Sequence, residues 1–481
     1  MGKKYLLALS LLAGVAFIVN AKPFTEDVGG LNSSKVKRFK SQNISDSLIV
    51  SSIKELASVA ANSNQKVKML PGVYKMEDYL TQKVINNTTA DVINRAAMIT
   101  FSGNNNTYDF TGVTIEVNTK LLNVFGKYVI EFYVTGNKNS LNGLTITDIG
   151  DKFPAKGGNS FTVEGTDVKI ENVTLNVKGS YPYGYGDLLG KGGGSISSLK
   201  KHSGMLISGT NVLIDRCTVI SKSFGHLFFV QGGRNVLFKD CYAEAFTRTT
   251  DEMLAEKSGP AFDLNFESVY KNYEGKNAIT PGYTKSLSEC GFRTYGGGGV
   301  NKRSTGAVSA ISCKAKNTRI GFAFTKVEEE MVIKDSEATG CESGFNITGV
   351  NVENSRGDAV NGPLLYINDG ATSKAELYLI PNVAITKLHA VACIAGDNHV
   401  ITIRNWENKP QKQSYPIILG ATRSSGSNPF SPIGSGASTH LVLNNYTGLP
   451  VEIRPKVNSS SIKTNGAIIG NSAGNTIIKI K

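Results

Sequence analysis

After residue 21 the chain of 481 residues has no apolar run of the roughly 18 residues that a membrane-spanning helix requires. Its six cysteines lack zinc-binding spacing, and "GKGGG" (Gly190 to Gly194) lacks the full pattern of a phosphate-binding loop. The alternation of Asp263, Asn265 and Glu267 lacks the spacing of a calcium loop and indicates one face of a strand instead. We therefore expect no membrane insertion of the mature chain and no cofactor, although calcium binding stays open.

Acidic side chains are also fewer than basic ones. The sequence has 39 Asp and Glu against 52 Lys and Arg, which gives a formal net charge of +13. A basic surface favours an anionic partner. The start "MGKKYLLALSLLAGVAFIVNA" is typical of a secretory signal peptide, with small residues before a cleavage site at Ala21. We predict a secreted or periplasmic protein, most simply a monomer, whose partner is a polyanion other than nucleic acid.

Two neighbouring stretches have nearly the same sequence pattern. "KKHSGMLISGTNVLIDRC" ends at Cys217, and "SFGHLFFVQGGRNVLFKDC" ends at Cys241, 24 residues later. A third copy upstream, "GNSFTVEGTDVKIENV", has Gly158 in the histidine position and Val173 in the cysteine position. Each copy alternates apolar and polar residues and is broken by an Asn or Asp turn, the pattern of short strands.

The pattern continues in "AVSAISCKAKNTRIGFAFT" and "MVIKDSEATGCESGFNIT", with periods of 22 to 24 residues. Short strands without a helix in each period predict a parallel β-helix, in which every coil stacks on the last. Cys217 and Cys241 are then expected to point inward as small apolar residues, without needing a disulfide. Before the repeats, Ser52 and Glu55 have capping-box spacing, so a short helix is predicted to cover the open end.

On these repeats the sequence resembles the right-handed parallel β-helix, pectate-lyase-like superfamily. The resemblance covers residues 50 to 360 well and the tail loosely, through "HVITIRNWE" and "HLVLNNYTGLPVEI". It rests on architecture, because no catalytic signature of a subfamily is present. It implies an all-β solenoid with an N-terminal capping helix and long loop insertions, and a carbohydrate ligand.

The predicted organisation has four parts. Residues 1–21 are the signal peptide and 22–49 an N-terminal extension. Residues 50–370 form the parallel β-helix with its capping helix. Residues 371–481 are either the last coils or a small separate β-module.

Two intervals exceed the period: Val173 to Cys217 spans 44 residues and Cys241 to Cys313 spans 72. We interpret both as loop insertions that stand as walls on one edge of the solenoid. His202 and His226 are then expected to stack on adjacent rungs at the base of the walls. The alternative is that both histidines are satisfied side chains in an inward aromatic stack.

Cleaving a uronate polymer by β-elimination needs a cation for the sugar carboxylate, a base and an acid. We assign His202 or His226 as the base, Arg248 or Lys201 as the cation, and Tyr183 or Tyr185 as the acid. The substrate-binding assignments are Tyr183, Tyr185, Lys191, Asp251 and Arg293.

Two other functions stay open. A glycoside hydrolase would need paired carboxyl groups, for which Asp187 or Asp251 with Glu256 are candidates. A non-catalytic carbohydrate-binding or adhesin-like solenoid would be favoured if the two long intervals were extra coils. In "TTDEMLAE", Thr249 and Glu252 instead indicate the start of a short helix.

Overall fold

The computed structural model describes residues 47–88, 95–154, 156–191, 194–298, 302–325, 327–368, 370–381, 387–412, 414–423, 428–470 and 474–480. The predicted signal peptide and most of the N-terminal extension lie outside them. None of the described helices is both long and apolar enough to cross a membrane.

The described strands form two long parallel sheets, which wind around one apolar core. The first sheet takes up to two strands from each coil: Leu48–Val50, Lys66–Met69, Gly72–Lys75, Thr107–Asn118, Ser140–Ile149, Lys169–Glu171, Thr174–Val177, Thr210–Asp215, Thr218–Ser221, Arg234–Lys239, Tyr242–Ala245, Val308–Ile311, Lys314–Lys316, Met331–Lys334, Glu337–Thr339, Val350–Gly357, Lys374–Leu379, Val400–Asn405, Val442–Tyr446, Ser461–Thr464 and Thr476–Lys479.

The second sheet takes one strand from each coil: Arg95–Phe101, Tyr128–Val134, Gly158–Val163, His202–Ile207, Phe228–Val230, Cys290–Thr294, Ile320–Phe324, Phe345–Ile347, Leu365–Ile367, Ala392–Ile394, Ile417–Leu419, Val451–Ile453 and Ile468–Ile469. Each strand pairs in parallel with its counterpart one coil away, so the all-β parallel β-helix predicted from the repeats is confirmed.

Short elements decorate the solenoid. The helices are Ile53–Val59, Met76–Tyr79, Gln82–Asn87, Thr250–Leu254 and Pro260–Asp263, with 3-10 turns at Thr119–Asn123 and Trp406–Asn408. Small strand pairs are Gly190–Lys191 with Gly194–Ser195, Thr247–Thr249 with Thr284–Ser286, Gly297–Gly298 with Arg303–Ser304, Ala421–Thr422 with Gly434–Ser435, and Ser438–Thr439 with Val457–Asn458.

The N-terminal cap forms as predicted. The Ser52 hydroxyl accepts a hydrogen bond from the Glu55 amide at 3.2 Å, and Ile53 and Leu56 are buried in the core. The Glu55 carboxylate reaches the Ser51 amide instead of that of Ser52, so only half of the predicted capping box is present. The helix therefore covers the apolar end of the solenoid.

Stacked side chains hold the coils in register. Phe228, Phe292, Phe322 and Phe345 stack inside the second sheet with successive ring centroids 5.1, 5.0 and 5.2 Å apart. Asp167, Asn211 and Asn235 each have a φ near +55°, a conformation that Asn and Asp tolerate best among residues with side chains. Their side chains form a hydrogen-bonded ladder with steps of 2.9 Å.

The six cysteines are free and buried. Cys217 and Cys241 lie at equivalent positions, because the strands that follow them pair Thr218 with Tyr242. The predicted inward orientation is confirmed, and the thiols pack as small apolar groups.

Both long intervals are insertions. The strand Thr174–Val177 pairs directly with Thr218–Ser221, so the first interval contains a single coil, with its strand His202–Ile207, and no extra one. Across the second interval, Tyr242–Ala245 pairs directly with Lys314–Lys316. That interval therefore contains one coil, with its strand Cys290–Thr294, and two excursions on either side of the strand.

The two repeat copies are not in the register that the 24-residue period predicts. In the first sheet Thr210 does pair with Arg234, but in the second sheet Met205 pairs with Phe228, only 23 residues later. The turn "QGG" before Arg234 is one residue longer than the turn "SG" before Thr210. His202 is therefore level with Gly225, and the prediction that His202 and His226 stack in one position is wrong.

Candidate active site

The one-residue offset gives the two histidines opposite orientations, because successive side chains of a strand point to opposite faces. His226 faces the insertions and is 6% exposed. Its Nε2 lies 2.6 Å from the hydroxyl of Tyr295 and 3.3 Å from a carboxylate oxygen of Glu289. We call Lys201, His226, Glu289, Arg293 and Tyr295 the outer cluster.

Burial keeps the His226–Tyr295 pair uncharged at neutral pH. Burial lowers the pKa of His226 to about 3, even though the charge of Glu289 opposes this shift. Burial, followed by the charge of Glu289, raises the pKa of Tyr295 to about 12. A neutral imidazole and a neutral phenol thus share a short hydrogen bond, along which a proton can move between the two side chains.

Glu289 carries the negative charge of the outer cluster. Burial alone would raise its pKa, but the neighbouring imidazole, the Lys201 ammonium and the Arg319 guanidinium lower it. Lys201 Nζ lies 2.8 Å from one carboxylate oxygen, and Arg319 Nη2 lies 3.2 Å from the other. The Lys201 side chain remains one-third exposed, so its ammonium also faces the outside.

Arg293 is a cation of the outer cluster. It forms no ion pair with any of the described residues. Its guanidinium lies 4.7 Å from the centre of the Tyr295 ring, and its Nε is buried without a hydrogen-bond partner in the described structure. A guanidinium presents several N–H groups in a planar fork that matches a carboxylate. The predicted substrate-binding role of Arg293 thus has a suitable placement beside the proton-transferring pair.

The walls beside the outer cluster are fastened by a buried ion network. Lys285 of the second insertion lies 3.0 Å from Asp187 of the first, 2.6 Å from Glu342 of the solenoid and 2.7 Å from the Asn428 side-chain oxygen. Arg319 joins Asp187 at 2.6 Å to Glu289. These paired, buried charges link both insertions to the solenoid.

His202 points into the solenoid and is fully buried. Its Nε2 lies 3.0 Å from Glu131 Oε1, 3.5 Å from Asp148 Oδ2 and 3.3 Å from the Ser160 hydroxyl. Asp148 continues the buried row of Leu144 and Ile146 on its strand. We call Glu131, Asp148 and His202 the inner cluster.

The side chains of the inner cluster shift one another's pKa values. Burial, followed by the charge of Asp148, raises the pKa of Glu131 to about 8. Burial opposes protonation of His202, but its hydrogen bonds to Asp148 and Glu131 raise the pKa to about 10. Gly158 leaves room for the ring, since a Cβ there would lie 2.8 Å from His202 Nδ1. His202 has no access to a substrate on the outer face, which contradicts the catalytic placement expected from the repeat.

Arg248 fastens the two insertions to each other. Its guanidinium donates to Glu256 at 2.6 Å and to the Gly184 carbonyl at 3.1 Å, and it lies 5.5 Å from the centre of the Tyr185 ring. Tyr185 is buried and donates its hydroxyl proton to Glu256. This pairing leaves Arg248 a structural role in the described arrangement, away from the outer cluster.

The other predicted residues lie on the insertions. Tyr183 is 40% exposed and lines a small pocket with Phe153 and Lys178. Asp251 accepts a hydrogen bond from the Gly282 amide at 2.8 Å in the first turn of the helix Thr250–Leu254. Lys191 lies on the short strand Gly190–Lys191, and its side chain falls outside the described residues. Their assigned roles in substrate binding stay predictions.

Two local predictions have clear outcomes. The capping box of Thr249 and Glu252 is present in full, as predicted. The interpretation of Asp263 to Glu267 as a strand is wrong, because a short helix ends at Asp263 and Asn265 has a φ of +50°.

Sequence reasoning missed Tyr295, Glu289, Glu131 and Asp148. Strand alternation from Arg293 places Tyr295 on the same face, so that residue could have been found. Glu131 is a single carboxylate within the apolar run "VIEFYV", and Asp148 ends the alternation "LTITD" at an inward position. A lone acid at such a position signals a buried polar partner.

No family model and no curated protein matches the chain. Similar solved structures include a PL6 alginate lyase in complex with a trisaccharide, which is 13% identical with a TM-score of 0.53, covering 89% of this chain and 86% of that chain. The chain is therefore a right-handed parallel β-helix protein with the pectate-lyase-like fold, as the sequence resemblance implied.

Two further structures align over similar lengths. The alginate lyase AlyF-OU02 in complex with G6 is 13% identical with a TM-score of 0.44, covering 89% of this chain and 86% of that one. The A-module of mannuronan C-5 epimerase AlgE6 from Azotobacter vinelandii is 8% identical with a TM-score of 0.39, covering 89% and 93%. No subfamily is assigned within the fold.

Proposed function

We propose that the protein cleaves an acidic polysaccharide by β-elimination at the outer cluster. The observation that carries this proposal is the neutral His226–Tyr295 pair, joined at 2.6 Å, beside an arginine without an ion-pair partner. These groups provide the proton transfers and the cation that elimination next to a carboxylate requires. The roles expected of His226, Lys201 and Arg293 are thus kept, and Tyr295 replaces Tyr183 and Tyr185 as the acid.

In this proposal Arg293 binds the uronate carboxylate, with Lys201 adding positive charge. Neutralising the carboxylate makes the proton on the neighbouring carbon easier to remove. The C–H bond breaks, its proton passes to the His226–Tyr295 pair, and the glycosidic C–O bond breaks as a C=C bond forms in the ring. The pair then returns a proton to the leaving oxygen, so it ends in its starting state.

The basic composition of the chain supports an acidic substrate. The formal charge of +13 favours association with a polyanion. Export after cleavage near Ala21, and action as a monomer, stay part of the proposal. N-terminal sequencing of the exported protein and its mass in solution test these two points.

The two alternatives have less support. The carboxylates near the outer cluster are held by cations: Glu289 by Lys201 and Arg319, and Asp187 by Lys285 and Arg319. A carboxyl group held ionised in this way is a poor general acid for hydrolysis. A purely binding solenoid would be favoured if the long intervals were extra coils, and they are insertions.

The experiment incubates the purified chain with a panel of uronate-containing and sulfated polysaccharides. Alginate belongs in the panel because the PL6 enzyme of similar fold is an alginate lyase. Ultraviolet absorbance detects the C=C bond of elimination, and a separate assay detects new reducing ends. Both signals together support elimination, whereas reducing ends without absorbance indicate hydrolysis. Binding without either signal would indicate a carbohydrate-binding solenoid.

A further inference from the structure

The inner cluster has more negative than positive charge available in an apolar interior. Glu131 and Asp148 are both buried, and the described structure places no Lys or Arg nitrogen in an ion pair with either. His202 can neutralise at most one of the two carboxylates. A buried carboxylate without a counter-charge is strongly unfavourable, so the cluster as a whole calls for a further cation or a retained proton.

The spacing of the cluster suits a metal ion. One ligand atom from each of the three side chains lies within 4.8 Å of the others, and the two measured N–O separations are 3.0 and 3.5 Å. Four ligands at about 2.1 Å around a tetrahedral ion are about 3.4 Å apart. The three atoms can therefore surround one ion after small side-chain adjustments, with the Ser160 hydroxyl near the remaining position.

A second observation points to a ligand. Glu131 Oε2 and Asp148 Oδ1 are buried and accept no hydrogen bond from an N–H or hydroxyl group of the described residues. Buried acceptors of this kind are normally satisfied. Carboxylates often bind metal ions through both oxygens, so an ion between these side chains would satisfy them.

The donor set indicates the class of metal. One imidazole nitrogen with carboxylate oxygens suits Zn²⁺ and the neighbouring transition metals, whereas Ca²⁺ and Mg²⁺ favour sites built from oxygen alone. The glycine at position 158 adds to the fit, because any side chain there would displace the ring of His202. The site is closed on all sides, as in structural metal centres.

We propose that Glu131, Asp148 and His202 bind one divalent transition-metal ion inside the solenoid. The ion fastens three strands that belong to successive coils, Tyr128–Val134, Ser140–Ile149 and His202–Ile207. Its role is to stabilise the fold beneath the outer cluster, because metal bound only by the folded state adds to folding stability. The proposal does not depend on the catalytic function.

The test measures the metal content of the full mature chain. The protein is expressed with added Zn²⁺, dialysed, and analysed for all first-row transition metals, calcium and magnesium. We expect about one transition-metal ion per chain, as in a structural site. Glu131→Gln and His202→Gln should reduce this content to background. The matched control His399→Gln changes another fully buried histidine and should keep the metal.

A second measurement covers variants that fail to fold. A strong chelator should lower the Tm of the wild-type chain, and Zn²⁺ but not Mg²⁺ should restore it. The Co²⁺ form should show the visible absorption of a low-symmetry site with a nitrogen ligand. The proposal is overturned if the wild type retains no more metal than His202→Gln after saturation with Zn²⁺, Mn²⁺ and Co²⁺. An unchanged Tm in the chelator, without bound metal, overturns it as well.

Discussion

The inner and outer clusters show how one residue changes the chemistry of a repeat. Both contain a histidine, and both histidines come from similar sequence repeats in adjacent coils. The longer turn of the second coil shifts its strand in the second sheet by one residue, so His226 faces outward while His202 faces inward. Repetition therefore predicts where a residue lies along the solenoid but not which side of the wall it occupies.

The two clusters also differ in what they leave available. The outer cluster keeps a partly exposed Arg293 and a partly exposed Lys201 beside the neutral His226–Tyr295 pair. The inner cluster is closed, and its three side chains contact one another. We infer that the outer cluster serves catalysis and the inner cluster serves stability. Each prediction below changes one side of this contrast.

The largest effect is expected for Tyr295→Phe. Loss of the hydroxyl removes one partner of the proton-transferring pair, and kcat/KM should fall by about 10² to 10⁴-fold. The Tm should change little, because the ring and its packing remain. Tyr446→Phe is the matched control, since Tyr446 lies under Arg404 as Tyr295 lies under Arg293. Equal activity of Tyr295→Phe and wild type would remove Tyr295 from the mechanism.

The opposite pattern is expected for His202→Gln. Removing one partner of a buried, charged cluster should lower the free energy of unfolding by about 3 to 5 kcal/mol. The activity of each folded molecule should stay close to that of the wild type, because the inner cluster does not reach the outer face. Denaturant unfolding and an assay at low temperature measure the two quantities separately. A folded variant with strongly reduced kcat would contradict the division of roles.

Arg293→Gln tests the cation of the outer cluster. Replacing a charged donor aimed at developing negative charge should reduce kcat/KM by about 10²-fold. Arg293→Lys should recover only part of the loss, because lysine cannot form the planar bidentate contact. Arg404→Gln, which breaks a comparable arginine–tyrosine stack in the C-terminal coils, should leave kcat/KM unchanged. A loss confined to KM would restrict Arg293 to substrate binding.

The smallest effect is on the slope of stability against pH, which His226 changes by at most about 1.4 kcal/mol per pH unit. The pKa of His226 is lowered to about 3, so the unfolded chain binds a proton near its ordinary value of about 6.5 while the folded chain does not. The stability that comes from keeping His226 neutral is fully present above about pH 6.5. As the pH is lowered, the free energy of unfolding decreases by up to about 1.4 kcal/mol per pH unit, until the folded histidine is itself protonated near pH 3.

His226→Asn removes this titration. Its unfolding free energy should decline less steeply than that of the wild type between about pH 6.5 and pH 3. Urea denaturation at several pH values measures both slopes, and the difference between the slopes isolates His226 from the other titrating groups. Parallel slopes would show that His226 titrates normally in the folded chain.

Much of the fold could be predicted because it depends on residues that are close together in the sequence. The Asn and Asp turns, the inward cysteines and the Ser52 cap follow from side-chain periodicity and short-range hydrogen bonding. The site was harder, because its members come from distant coils and insertions. Arg293 was assigned from the sequence and stays a prediction, whereas the contact between His226 and Tyr295 depends on a strand register that one turn residue decides.

The inner cluster could not be predicted from the sequence for a related reason. Glu131 and Asp148 precede His202 by 71 and 54 positions, and only the stacking of coils brings them together. The repeat drew attention to His202, but the same repeat suggested the wrong face. A buried charge network is set by three-dimensional neighbours, which a periodic pattern does not specify.

The most direct test of the account compares elimination by four proteins on the polysaccharide that the wild type cleaves. The ultraviolet absorbance of the unsaturated product is followed for the wild type, His226→Gln, Tyr295→Phe and His202→Gln, each corrected for its folded fraction. The account predicts strong absorbance from the wild type and His202→Gln, and very little from the two outer-cluster variants. Strong absorbance from His226→Gln together with its loss in folded His202→Gln would contradict the account.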